Sequence, residues 1–224
     1  MKTTHACAAL AATFALGSTV LGTVIQSESF ETYTTGSGQY VDSLGADNDH
    51  WLLNYDDHTV SGDGWGVYYE NTRNGAGIAE GDYFGVTSYA GAVGAFTDGT
   101  QGFQMSDVDG MATLVFDAVA GATGVSFDIF VDGTGWESDD LIRVTVGGEV
   151  LLDTTGADID DDFGYLEETW TTFNGGAGEI RISLDSNSGS EAIFVDNIQW
   201  TGVPAPGALA LLGLAGLASR RRRH

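Results

Sequence analysis

Val125-Ser126-Phe127-Asp128-Ile129-Phe130-Val131 sets apolar residues at every second position. Ile142-Arg143-Val144-Thr145-Val146 repeats the alternation, and Ile180-Arg181-Ile182-Ser183-Leu184 repeats it again. A period of two sends successive side chains to opposite faces, so each stretch reads as a half-buried strand. Gly147-Gly148 follows the second stretch and leads straight into Glu149-Val150-Leu151-Leu152, the signature of a tight hairpin. Moving outward, the segments 50–55, 66–70, 83–89, 102–106 and 111–119 read as further strands, and the last runs over 192–200. Gly, Asp and Asn punctuate them, and no long segment has helical periodicity. About ten strands with closely spaced turns predict an all-β protein, an antiparallel β-sandwich with a jelly-roll-like arrangement, over residues 27–202. Both prolines lie beyond that range, which leaves the strands unbroken.

Charge divides the chain in the same places. The 224 residues include 32 Asp+Glu and 8 Lys+Arg, a formal net charge of −24. All 32 acids lie between Glu28 and Asp196, where the only bases are Arg73, Arg143 and Arg181, so this window carries −29. A surface of that sign repels phosphate backbones, which argues against nucleic-acid binding. It suits saline or calcium-containing water, where ions screen self-repulsion, and points to a marine or halophilic setting. The single cysteine, Cys7, excludes an intrachain disulfide framework and a multi-cysteine zinc site. At 42% hydrophobic and 11% aromatic, the chain is too apolar for a disordered acidic tail.

Both ends read as addresses. Lys2 and the apolar, small-residue stretch 6–25 have the pattern of a secretory signal peptide over residues 1–26, with Gly22 a small residue suited to cleavage. At the other end, Val203-Pro204-Ala205-Pro206 precedes a glycine-rich apolar segment and the run Arg220-Arg221-Arg222-Arg223. Residues 203–219 would span about 25 Å as a helix, a short transmembrane length, with the arginines holding that end in the cytoplasm. This order of breaker, apolar segment and arginine cluster over 203–224 resembles the PEP-CTERM sorting signal of bacterial surface proteins. Ala205 stands where that family usually has Glu. The resemblance implies processing near Pro204 to Pro206 by exosortase, a membrane cysteine transpeptidase, after transient anchoring in the membrane. It also implies release or attachment at the cell surface, in the company of exopolysaccharide.

The start and end of the middle domain carry a second resemblance. Ser29-Phe30-Glu31 and Phe194-Val195-Asp196-Asn197-Ile198 look like the opening and closing segments of secreted bacterial jelly-roll modules, carbohydrate-binding modules among them. The stretches 102–110, 135–140 and 185–197 look like accessory β-sandwiches found beside secreted hydrolases and nucleases. The first resemblance implies that the first and last strands are neighbours and that Glu31 and Asp196 share a structural calcium ion.

The residues themselves offer several calcium positions. Asp196 falls on the strand face of Phe194 and Ile198, where a lone carboxylate is costly unless paired or metal-bound; capping of backbone N–H groups is the competing role. Asp107-Val108-Asp109-Gly110 begins like a calcium loop but departs from the EF-hand pattern, having Ala118 at the twelfth position, so a plain turn is its first reading and a calcium site the second. Asp158-Ile159-Asp160-Asp161-Asp162 packs four carboxylates into five residues and is either a cation site or an exposed acidic loop. Trp65, Tyr68, Tyr69 and Trp136 could form a sugar platform, since flat aromatic faces stack on pyranose C–H surfaces; sandwich core is the alternative for each. His50 and His58 are separated by a turn at 55–57 and read as structural.

No nucleophile elbow, phosphate loop or metalloprotease helix is present. The expectation is therefore an exported, cell-surface or matrix protein, not an enzyme, that binds extracellular polysaccharide and holds structural calcium. A purely structural or adhesive surface protein is the second reading, and a jelly-roll glycoside hydrolase or lyase the third. Ice binding rests on the tail alone, because the threonines are scattered.

Overall fold

The computed structural model describes residues 22–45, 48–73, 77–78, 82–132, 135–156, 159 and 169–203. The signal segment up to residue 21, the acidic loop with Asp158 and Asp160, and the sorting residues Pro204, Ala205, Pro206 and Arg220 to Arg223 lie outside them. Among the described residues no helix is long and apolar enough to cross a membrane.

Thirteen strands are described. They are β1 (Thr23–Glu28), β2 (His50–Trp51), β3 (Ser61–Gly62), β4 (Trp65–Glu70), β5 (Tyr83–Thr87), β6 (Gly102–Ser106), β7 (Gly110–Phe116), β8 (Ala122–Asp132), β9 (Leu141–Val146), β10 (Glu149–Thr155), β11 (Thr171–Gly175), β12 (Ile180–Ser186) and β13 (Ala192–Gly202). Every pairing is antiparallel, and the strands form two sheets. One runs β11-β8-β13-β6-β5, with β1 added on β13; the other runs β10-β9-β12-β7-β4-β2, with β3 added on β4. The chain is an all-β sandwich.

The quoted alternation decides which side chains meet between the sheets. Phe127 and Ile129 of β8, Val144 of β9 and Ile182 of β12 are fully buried in one core with Phe103, Leu114 and Val67. Gly147 and Gly148 both have positive φ, at 58° and 84°, and Glu149 pairs with Val146 across the two-residue loop. The backbone twist of such a turn matches that of the strands, and glycine adopts it without Cβ strain.

Three strands escape the alternation reading, the two-residue β3 among them. β11 pairs with β8 and stacks Phe173 on Phe127, with ring centroids 5.8 Å apart. β1 reaches back to Thr23, so residues 23–26 of the segment read as export signal belong to a strand beside β13. The first and last strands are thus neighbours.

β13 departs from simple alternation at its middle. Ile193 and Val195 point into the core, and so do Ile198 and Trp200, which requires a change of phase between them. A bulge against β8 lies between Asp196 and Gln199, and Asn197 takes a φ of 54°. Asp196 and Ile198 therefore do not share a face, contrary to the sequence reading: Phe194 belongs to a small cluster on the outer side, whereas Ile198 is inside. The bulge also marks a change of neighbour. Residues 192–195 pair with β6, and residues 198–202 pair with β1.

A β-branched residue tolerates positive φ poorly. Asn197→Val is expected to lower the unfolding free energy by about 1–3 kcal/mol, and Asn197→Gly by less, in chemical denaturation.

Candidate functional site

β5 and β6 pair so that Tyr83 faces Ser106 and Gly85 faces Gln104. Their inward residues, Phe84, Val86, Phe103 and Met105, are fully buried. Their outward residues Tyr83, Thr87, Gln104 and Ser106 form the floor of a groove of about 670 Å³. Residues 36–39 make one wall, Ser88 and Tyr89 another, and Gly189 closes an end. The volume lies in the range typical of ligand sites.

The first wall is held from behind. The Tyr83 hydroxyl donates to the Gly36 carbonyl at 3.1 Å, and His58 Nε2 meets the Gly38 carbonyl at 3.1 Å. Asp57 accepts from both the amide and hydroxyl of Ser37, each at 3.2 Å. A Cβ on Gly36 would come within 3.1 Å of the His58 ring and the Tyr83 hydroxyl, so this position has no room for a side chain. His58 is buried and braces the wall. His50 bonds the Asn48 carbonyl and Asp42. Both histidines thus have structural partners.

Tyr89 is 60% exposed. Its ring lies where a side chain on Gly91 would be, within 2.6 Å of a Cβ placed there. The loop that follows is fixed to the outer face of the sheet. Val93 and Phe96 pack with Phe130 and Phe194, and Trp170 covers them while donating its indole N–H to the Ala95 carbonyl at 2.8 Å.

Glu31 and Asp196 secure the rest of this loop. Asp196 is fully buried; one oxygen accepts the amides of Thr97 and Asp98, both at 2.8 Å, and the other accepts its neighbour Asn197 at 2.7 Å. Glu31 accepts the amides of Thr100 and Gln101 at 2.6 and 2.7 Å. Both carboxylates therefore hold one loop, 97–101, through successive backbone N–H groups. Burial pushes the Asp196 carboxyl up to about 6 against the lowering effect of its N–H bonds. At Glu31 slight burial acts upward, but the bonds from Thr100 and Gln101 prevail and hold it below the ordinary value.

Among the described residues two acidic triads could hold a cation. Oxygens of Asp82, Asp107 and Asp109 lie within 4.8 Å of one another. Asp82 precedes Tyr83 and Asp107 follows Ser106, and Tyr83 and Ser106 are register partners, so this triad stands at the end of the groove floor. Asp107 and Asp109 were legible as a candidate pair; Asp82 joins them only through strand register. Glu137, Asp140 and Glu191 form the second triad, from two of the stretches that resemble accessory sandwiches. Arg73 holds it in place, reaching Asp140 at 2.7 Å, Asp185 at 2.6 Å and Asp139 at 3.1 Å. Burial, with the charges of Asp140 and Glu137, pushes Glu191 up to about 7.

The four aromatic candidates do not share a surface. Trp65 and Tyr69 point inward and are buried in the core, with Trp65 edge-on to Phe30 at 5.3 Å. Trp136 is partly buried against the same core. Tyr68 points outward, beside Trp51, which sequence reasoning missed. Alternation separates Tyr68 from Tyr69, but it does not say which of them is inside.

No protein-family model matches the chain, and no curated protein matches it. Similar solved structures include the K2 cleaved adhesin domain of Lys-gingipain, with 15% identity, 64% of this chain and 93% of that one covered, and a TM-score of 0.39. TmCBM61, solved with β-1,4-galactotriose, has 16% identity, coverage of 61% and 86%, and a TM-score of 0.35. The carbohydrate-binding module CBM36, solved with calcium and xylotriose, has 13% identity, coverage of 53% and 92%, and a TM-score of 0.27. These likenesses are loose.

The raised Asp196 carboxyl makes stability depend on pH. With a folded value near 6 and an unfolded one near 3.9, the native state binds the extra proton between these values. The stabilisation from this group is complete below the unfolded value and is lost as pH rises through about 6. In calcium-free buffer, the wild type is expected to lose about 2 kcal/mol relative to Asp196→Asn between pH 4 and pH 7, read by denaturant titration.

Proposed function

We propose that this protein is an exported, surface-sorted, non-catalytic module that binds neutral polysaccharide through the Tyr89 groove and holds calcium beside it. The observation that supports the reading is the chemistry of the groove. In a domain at −29, none of the described residues lining it carries a charge. They supply hydroxyls, carboxamides and bare glycine backbone, with one exposed aromatic ring at the rim. Hydroxyl-rich pyranoses match such groups: their C–H faces stack on Tyr89, and their hydroxyls meet Gln39, Ser88 and Gln104. Export and sorting rest on the terminal motifs, with exosortase as the processing partner.

Calcium fits the triad of Asp82, Asp107 and Asp109. Hard cations take several carboxylate oxygens from loop positions, and a divalent ion there would relieve the repulsion among three acids at the groove's end. The ion's contribution is electrostatic and structural. Glu31 and Asp196 instead spend their oxygens on the N–H groups of residues 97–101 and Asn197, the capping role weighed against calcium for Asp196.

A glycan array of neutral oligosaccharides, with β-1,4-galactotriose and xylotriose among them, tests the binding. Tyr89→Ala is expected to weaken retention about tenfold or more without moving the melting temperature. An array blank for the wild type in calcium overturns the reading. In thermal melts, calcium is expected to raise the transition by several degrees, with reversal by EDTA. Asp82→Asn combined with Asp107→Asn abolishes that rise if the triad is the site.

A further inference from the structure

Residues 27–202 contain two histidines, His50 and His58, and both clamp the same segment of chain. That segment begins as the 36–39 wall of the Tyr89 groove and continues through Tyr40 to Asp42. His58 meets the Gly38 carbonyl through Nε2, and its neighbour Asp57 holds the amide and hydroxyl of Ser37. His50 takes the other end, with Nε2 at 3.1 Å from Asp42 Oδ1. Between them the Tyr40 amide donates to the Asp82 carbonyl at 2.9 Å, and the Tyr40 hydroxyl to the Leu53 carbonyl at 2.8 Å.

The partners of both rings are acceptors. His50 Nδ1 faces the Asn48 carbonyl at 2.6 Å while Nε2 faces the Asp42 carboxylate. A neutral imidazole has one N–H and serves one of these two acceptors in either tautomer; an imidazolium serves both. The Asp42 side chain is 3% exposed, and its Oδ2 has no hydrogen-bond partner among the described residues, so a positive ring is the neighbour that compensates it. At His58, Nδ1 is buried without a hydrogen bond among the described residues and lies 3.2 Å from Asp57 Oδ1. A bare lone pair there opposes the carboxylate, and a proton there attracts it.

The other titratable groups around the rings keep their state. Tyr69 packs on His50 with ring centroids 6.4 Å apart, and Tyr40 and Tyr83 pack on His58 at 5.9 and 5.4 Å. Burial pushes the Tyr40 hydroxyl up to about 12 and raises those of Tyr69 and Tyr83 as well. These tyrosines therefore hold their protons where histidine titrates, between about pH 5 and 8. Asp49, beside His50, accepts the Asn71 amide at 2.9 Å, and Asp56 shares the turn with Asp57. At Asp57 burial acts upward, but bonds from its own amide and from Ser37, with the His58 charge, prevail and hold it below the ordinary value.

We infer that the 36–39 wall is a proton-dependent latch: with His50 and His58 charged, the segment 36–42 is pinned, and as pH rises through the histidine range the pins weaken and the wall loosens. The charged rings make the additional contacts, so the latch is complete at low pH and lost at high pH. A wall already in place costs a ligand less to order, so binding in the groove is tighter in mildly acid water. That gain in affinity rests on the reading of the Tyr89 groove as a glycan site; the latch itself does not.

The test follows the histidine rings and the Ser37 and Gly38 amides of the isotope-labelled full chain by NMR, from about pH 5 to about pH 9. Both rings are expected to titrate, and the two amides to move with the same midpoints. The amide movement is expected to shrink in His58→Gln, and also in Asp57→Asn, which keeps the ring and removes its counter-charge. His50→Gln and Asp42→Asn do the same at the other clamp, and melting curves accompany each variant. The neutral-glycan array, run at about pH 5.5 and about pH 8.5, is expected to show about threefold or more stronger retention at the lower value, a ratio lost when His50→Gln and His58→Gln are combined. Asp196 titrates in the wild type and the variants alike and drops out of the comparison. Rings that keep one protonation state throughout, or rings that titrate while the Ser37 and Gly38 amides stay still, overturn the latch. If the amides follow the rings but the array is blank at both pH values, the latch stands and the glycan reading falls. Equal retention at both values overturns the gating and leaves the glycan reading in place.

Discussion

A buried carboxylate at a strand bulge organises the most distinctive part of this molecule. Asp196 has no access to water, yet its oxygens are met by the amides of Thr97, Asp98 and Asn197. A buried acid without such partners would cost several kcal/mol; here the loop before β6 supplies them. The same bulge shifts the phase of β13, so that core-facing residues continue past it. It also divides the β13 edge between β6 and β1. The loop, the strand phase and the neighbour on each half of β13 are thus consequences of one local geometry. Tyr89 stands at the near end of that loop, its amide donating to the Thr87 hydroxyl, while Asp196 and Glu31 hold the far end.

Electrostatics shapes the rest. Three arginines serve 32 acids, and each is engaged: Arg73 with three aspartates, Arg143 with Asp153, Arg181 with Glu179. Arg73 is the most enclosed of them, and its partners come from distant parts of the chain. An arginine fork can satisfy several carboxylates at once, which suits it to such a hub. Among the described residues six acids gather in two triads whose oxygens a single cation could bridge, while the groove between β5 and the 36–39 wall is free of charge among its described residues. This separation of charged and uncharged polar surface favours a neutral ligand beside an ion.

Legibility in the sequence followed the range of the interaction. The strands at 142–146 and 180–184 and the Gly147-Gly148 hairpin were readable because alternation and turn chemistry are local. β11 was not, since Thr171–Gly175 is short and only its pairing with β8 makes it a strand. β1 was masked by its resemblance in composition to an export signal. Asp107 and Asp109 stood out as a pair, but Asp82 lies 25 positions earlier in the chain and is brought in by the β5–β6 register alone. Trp51, too, gave no sign, because a two-residue strand carries no period.

The sequence by itself determined the class of fold, the placement of turns and the extreme charge of the domain, because each depends on residue type and near spacing. It also marked the aromatic and acidic residues from which a site could be made. The tertiary structure decided which of them face outward together. Tyr68 and Tyr69 are adjacent and chemically alike; one lies in the core and the other on the surface because a strand presents its neighbours to opposite faces. The choice of face depends on which sheet packs behind it, and that is set by contacts across the whole sandwich rather than by anything local to the pair.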